Sequence, residues 1–183
     1  MADATWIILS GTIKTAAADA FVLDYGAGVI VVEMDSADGG ARGAALNRND
    51  DVTVLGRIDA DAFEAVSIEA AAVHVAGVDT PFVASSIDDE EELRLASSLA
   101  ASEDRNTVSV IGHVKTVSDT TFTLDNDRFP LVVDVSQLEI DLSDAAGSFQ
   151  IEPDDRVRVS GSVGHDWLHR RELVADSIAI VNK

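Results

Sequence analysis

The densest gathering of chemically useful side chains is Gly164-His165-Asp166-Trp167-Leu168-His169-Arg170-Arg171. It holds two of the four histidines, one of the two tryptophans and two adjacent arginines. An aromatic plate beside guanidinium groups stacks on a sugar or base, or grips a carboxylate through paired hydrogen bonds. That chemistry makes His165, Trp167, His169, Arg170 and Arg171 the candidate ligand contacts. The plainer alternative has Trp167 covering one end of a folded body, ringed by solvated charges. His165, Asp166 and His169 are also zinc-ligand types. A four-residue gap on a hairpin does not bring both imidazoles together as a helix would, and a fourth ligand is missing.

A second cluster is Asp59-Ala60-Asp61-Ala62-Phe63-Glu64. Hard cations want several carboxylate oxygens, so Asp59, Asp61 and Glu64 are the candidate calcium ligands. The full twelve-residue calcium-loop spacing is absent, and Asp125-Asn126-Asp127 is equally short of ligands. Another use for this acidic stretch is to pair with the basic 164–171 stretch, within one molecule or between two. Calcium aside, no cofactor is implied. Catalysis finds no motif: there is no Gly-x-Ser-x-Gly, no phosphate-cradling glycine loop and no His-Glu-x-x-His. His74 and His113 fall within strand-like runs and have no evident acid partner. The expectation is a protein that is not an enzyme.

The elements that would position these clusters are legible because the chain repeats itself. Gly11-Thr12-Ile13-Lys14-Thr15, Phe21-Val22-Leu23-Asp24 and Val31-Val32-Glu33 return, 101 residues later, as Gly112-His113-Val114-Lys115-Thr116, Phe122-Thr123-Leu124-Asp125 and Val132-Val133-Asp134. Downstream the offset becomes 105. There Asn49-Asp50-Asp51-Val52 answers Asp154-Asp155-Arg156-Val157, and Ile68, Ala70, Val73 and Val75 answer Leu173, Ala175, Ile178 and Ile180. An ordered series of matches with one small insertion predicts two copies of one domain.

Each copy reads as strands, with period-two alternation and β-branched residues. Trp6, Ile8, Ser10, Thr12 and Lys14 share one face of a half-buried first strand. Phe21 and Phe122 are expected to point inward, and Val22, Asp24, Thr121, Thr123 and Asp125 outward. Tyr25-Gly26-Ala27-Gly28 and Asn126-Asp127-Arg128 are turns. The fourth strand is expected over 52–58 and 156–163, and the fifth over 66–75 and 172–181. The 59–64 and 164–171 clusters then occupy matching hairpins. Five strands per copy, with a long connection between the third and fourth, is the strand pattern of an OB-fold barrel.

Between the copies, Pro81 closes the first. Ser86-Ile87-Asp88-Asp89 reads as a helix start, with acids suited to the positive end of the helix dipole. Leu95 and Leu99 are an i, i+4 pair, which predicts one amphipathic helix over 87–101, serving as a spacer, a plug or a lever between barrels. The predicted architecture is therefore all-β: two tandem five-stranded OB-like barrels, over 1–80 and 107–183, joined by an acidic helical segment over 81–106.

Residues 112–116, 122–125, 154–163 and 175–181 resemble the bacterial OB-fold (BOF) family of small cell-envelope proteins associated with stress tolerance. Asp51 and Thr53 replace the arginines of the fourth strand in the first copy. The resemblance implies a non-catalytic binding or scaffolding role in the envelope or under stress. It implies a periplasmic or envelope location if a leader precedes Met1, and a cytoplasmic one otherwise.

Charge narrows the partners. The net charge is −20, from 33 acids and 13 bases. Thirteen acids fall in 1–84, seven in 85–106 and thirteen in 107–183, so the acidity is not confined to a tail. Only three lysines oppose it: Lys14, Lys115 and Lys183. Such a field repels a phosphate backbone and attracts cations, basic peptides or amines. Few outward aromatics are available to stack bases. A small molecule or a protein partner is expected, and nucleic acid is disfavoured. A cation-responsive module is one alternative, and a salt-adapted single-strand binder another. The absence of cysteine excludes disulfides and thiolate metal sites. No apolar run approaches the ~20 residues of a membrane-spanning helix, so membrane insertion is not expected. The sequence does not specify an oligomeric state.

Overall fold

The computed structural model describes residues 5–34, 46–59, 66–78, 82–83, 107–125, 130–138, 140, 142, 150–162 and 172–182. The predicted helix over 87–101 lies outside them, and the described residues contain no helix. The chain is all-β, and it divides into two compact units. One comprises residues 7–106, and the other residues 1–6 with 107–183.

The strands of the first unit are β1 (Trp6–Ala16, whose first residue Trp6 groups with the other unit), β2 (Ala20–Asp24), β3 (Val29–Met34), β4 (Asp51–Asp59), β5 (Ser67–Val75) and the short β6 (Phe82–Val83). β1 pairs β2 and β2 pairs β3, both antiparallel. β3 pairs β5 in parallel, and β5 pairs β4 antiparallel. β4 pairs β1. The extra β6 lies antiparallel on β5, with Ala72 opposite Val83 and Val73 opposite Phe82.

In the second unit the strands are β7 (Thr107–Val117), β8 (Thr121–Leu124), β9 (Leu131–Asp134), β10 (Arg156–Ser162) and β11 (Glu172–Asn182). β7 pairs β8, β8 pairs β9, β9 pairs β11 in parallel, β11 pairs β10, and β10 returns to β7. This ring is a closed five-strand barrel in the OB arrangement, with the third and fifth strands parallel and the fourth closing on the first.

Alternation decides what fills each unit. Phe21, Leu23, Ile30, Val32 and Ile68 are buried in one, and Phe122, Leu124, Leu131, Val133 and Leu173 in the other. Both phenylalanines point inward as expected, at 2% and 1% exposure. β1 departs from its expected half-burial. Trp6, Ile8 and Ser10 share the face opposite Ile7 and Leu9, yet all five are buried. Trp6 and Ile8 give that second face enough apolar surface to be worth covering. The Ser10 hydroxyl there is satisfied by the Thr53 hydroxyl at 2.9 Å.

Local irregularities recur at matched positions. The β1–β2 register slips between Ile13 and Thr15, and the β7–β8 register between Val114 and Thr116. Each slip sets aside one residue, Lys14 or Lys115, as a bulge does. The turn before β4 puts Asn49 at φ 73°, and the turn before β10 puts Asp154 at φ 75°. Asn and Asp are the non-glycine residues that tolerate this left-handed region. The next aspartate caps each turn. The Asn47 N–H donates to Asp50 Oδ2 at 2.8 Å, and the Glu152 N–H to Asp155 Oδ2 at 3.0 Å.

Candidate functional site

The outer face of β2 and β3 presents apolar side chains to solvent. Inward positions Phe21, Leu23, Ile30 and Val32 are taken by the core, so Val22, Val29, Val31 and Glu33 must face out. Val29 is 62% exposed and Val31 38%, while Val22 is half-buried. Register makes them neighbours. Val22 lies opposite Val31, and Asp24 opposite Val29. On the far side of β3, Val31 pairs with Ser67 and Glu33 with Glu69.

The bulge at Lys14 aims its ammonium at the edge of this face. Lys14 Nζ sits 2.8 Å from Asp24 Oδ2. The Gly26 N–H donates to Asp24 Oδ1 at 3.0 Å, fixing the following turn. The Lys14 hydrogen bond, then that of Gly26, holds the Asp24 carboxyl below the usual carboxylate range; slight burial opposes them. Tyr25 is buried beneath the turn, and its N–H donates to the Gly28 carbonyl at 3.0 Å. A side chain at Gly28 would meet the Tyr25 hydroxyl at 2.6 Å, so a larger residue there needs the buried Tyr25 ring to shift.

The corresponding face of the second unit carries Thr121, Thr123 and Asp125 on and beside β8, and Val132 and Asp134 on β9, all half-buried. Lys115 pairs with Asp125 at 2.9 Å, and the Thr116 and Thr123 hydroxyls bond each other at 2.7 Å. That face is polar where the first is apolar.

Of the sequence-derived candidates, Asp59 ends β4, exposed and in register with Ser67. Asp61, Glu64, His165, Trp167, His169, Arg170 and Arg171 lie outside the described residues. Among the described residues no group of three or more His, Asp or Glu side chains is placed to hold a metal ion. His113 is engaged structurally: its Nδ1 lies 3.0 Å from the Asp154 carbonyl. His74 stands on β5 opposite Thr53. No described helix is long and apolar enough to cross a membrane.

Sequence reading missed Val29, Val31 and Glu33 as a surface. The signal was present in their period of two, but Val29-Ile30-Val31-Val32 also reads as a run buried on both sides.

The fold places the chain among all-β proteins carrying an OB-type barrel. No family model matches it, and no curated protein matches it. Among solved structures it is similar to the wild-type single-stranded DNA binding protein from Thermus aquaticus. The TM-score is 0.48 at 14% identity, covering 100% of this chain and 95% of that one. It is also similar to a deletion mutant of that protein, with a TM-score of 0.41 at 13% identity, covering 100% of this chain and 96% of the other. Likeness of this extent leaves the ligand to be argued from the residues themselves.

Proposed function

We propose that the chain is a non-catalytic binding or scaffolding protein built from two tandem OB-like barrels. The tandem reading is supported by the offsets of 101 and 105 residues, at which core residues, register slips and turn hydrogen bonds correspond. The binding reading is carried by one observation, the strip of exposed Val29 and Val31 beside half-buried Val22 on the β2–β3 pair. Exposed apolar side chains scattered singly need no explanation, whereas neighbours in register offer a partner contiguous apolar area. The 164–171 stretch remains the second proposed contact region, through Trp167 and its basic neighbours. Calcium binding by Asp59, Asp61 and Glu64 is the competing proposal. The envelope and stress roles implied by the bacterial OB-fold resemblance rest on its short motifs alone.

Thermal unfolding with three probes tests the reading, because a ligand of the native state raises the midpoint saturably. The probes are a lysine–valine peptide, a single-stranded oligothymidylate and calcium at matched ionic strength. A saturable rise with the peptide alone supports a protein-binding module. A rise specific to calcium replaces it with a cation-responsive module. A rise with oligothymidylate that collapses with salt replaces it with a nucleic-acid binder.

A further inference from the structure

The geometry points to a docking surface on the outer face of β2, β3 and β5 for an extended partner-protein segment whose every second residue is apolar, the series ending on a basic residue. This deepens the binding reading above and rests on it. Two features of the face define the occupant.

The first is the apolar strip. Val22 and Val31 are cross-strand neighbours, and Val29 is the adjacent outward residue of β3. Side chains on one face of a strand repeat every two residues, about 7 Å apart. An extended segment laid along β3 would match that repeat with its own alternate side chains.

The second is the charge at the end of the strip. Glu33 and Glu69 are directly in register on the parallel pair β3–β5, and both are exposed. Like charges directly opposite destabilise a sheet. Arg57 on β4 is in register with Glu69 from the other side. Among the described residues no basic side chain stands in register with Glu33, whose β2 neighbour is Ala20. A lysine or arginine of the partner, set beside Glu33 and Glu69, would relieve the repulsion while apolar residues two and four positions along, on the same face of the segment, cover Val31 and Val29. At the opposite end Asp24 is already neutralised by Lys14. Glu33 and Glu69 thus stand at one end of the strip, exposed Asp59 stands beside Ser67 level with Val31, and the Asp24 end holds an ion pair, which gives the docked segment a direction. A second copy of this chain fits poorly as the occupant, since each copy carries a net charge of −20. A phosphate backbone fits poorly for the same reason.

Isothermal titration of the full chain tests the surface. The probe is an acetylated, amidated lysine–valine peptide in which every second residue is valine, the last of that series is lysine, and threonines stand between. Its mirror, the glutamate–valine peptide, has glutamate in place of that lysine. Three doubly substituted chains are compared with the wild type: Glu33→Lys with Glu69→Lys, Val29→Ser with Val31→Ser, and Asp119→Lys with Glu152→Lys. The first and third change net charge equally, but Asp119 and Glu152 are exposed on the other unit. All six positions are solvent-exposed, and circular dichroism verifies folding. Should the Glu33→Lys, Glu69→Lys chain not fold, the milder Glu33→Gln, Glu69→Gln pair takes its place.

Saturable binding of the lysine–valine peptide to the wild type is expected. It should weaken at least about tenfold in the glutamate pair, about fivefold in the valine pair and under about threefold in the Asp119, Glu152 pair. The glutamate–valine peptide should bind the Glu33→Lys, Glu69→Lys chain more tightly than it binds the wild type. Equal weakening in the glutamate and Asp119, Glu152 pairs overturns the surface and leaves general screening. Tight binding indifferent to all three pairs overturns the location while leaving a binding protein. Absence of saturable binding to the wild type overturns the proposed occupant, and the thermal-shift probes then decide whether the binding reading survives.

Discussion

Gly56→Ala should destabilise the unit of residues 7–106 although it adds only one methyl group. Gly56 sits where the β4–β5 register slips, opposite Ala70 and one residue from the Arg57–Glu69 pair. A Cβ there would lie 2.5 Å from Ile68 Cγ2, closer still to the Glu69 carbonyl oxygen, and 3.1 Å from Ala70 Cα. Carbon atoms touch comfortably at about 3.5–4.0 Å, so the overlap with the Ile68 methyl is about 1 Å. Ile68 is fully buried and cannot swing away, and the Glu69 carbonyl belongs to a strand paired on both sides. Overpacking of this kind costs about 1–3 kcal/mol, and the immobile neighbours place Gly56→Ala at the upper end. Reduced freedom of the unfolded chain returns about 0.4–1 kcal/mol. A net loss of about 2 kcal/mol lowers the melting midpoint of a domain this size by roughly 8–16 °C. Gly77→Ala is the comparison. Gly77 has φ +82°, but no atom lies within 4 Å of where the added methyl would stand, so only backbone strain of about 1–2 kcal/mol applies. Differential scanning calorimetry of the full chain reads both variants. A Gly56→Ala midpoint within about 2 °C of wild type would refute the packing argument, given the scaling above.

Other perturbations probe the core, the ion pair and the turns. Phe21→Ala and Phe122→Ala each remove a fully buried ring, and each should cost about 3–5 kcal/mol; denaturant titration should show the loss confined to the unit that carries the change. Lys14→Met removes the chief cause of the lowered Asp24 carboxyl. Because that carboxyl is depressed in the folded state, its contribution is present above the ordinary aspartate range and lost as pH falls through the lowered value. The midpoint gap between wild type and Lys14→Met should therefore be open at about pH 6 and close on acidification. Asn49→Val forces a β-branched residue into the left-handed region and should cost about 1–2 kcal/mol, whereas Asn49→Gly should be near neutral; paired thermal melts compare them.

Much of the fold was legible because the chain writes it twice. Phe21 with Phe122, Leu23 with Leu124 and Ile68 with Leu173 are buried in pairs, as the shared spacing required. Asn49 and Asp154 both take left-handed backbone, which the sequence reading did not single out although Asn and Asp are the types that tolerate it. Strand ends were less clear. β1 continues to Ala16 because the bulge at Lys14 lets Thr15 and Ala16 keep pairing with Val22 and Phe21. β6 was hidden behind Pro81, since two residues carry too little pattern to read as a strand. The double burial of Trp6, Ile8 and Ser10 was hidden because alternation reports which face a residue takes, not what covers that face. The candidate surface was missed for the converse reason. Types such as Trp, His and Arg advertise chemistry, while exposed valines resemble core until register places them opposite one another.

Backbone amide shifts of the isotopically labelled chain, followed as the lysine–valine peptide is added, test the central claim most directly. Saturating shifts concentrated at Val22, Val29, Val31, Glu33 and Glu69, with the second unit unmoved, are the predicted result. Small shifts spread evenly over the acidic residues of both units, or shifts confined to 164–171, would contradict it.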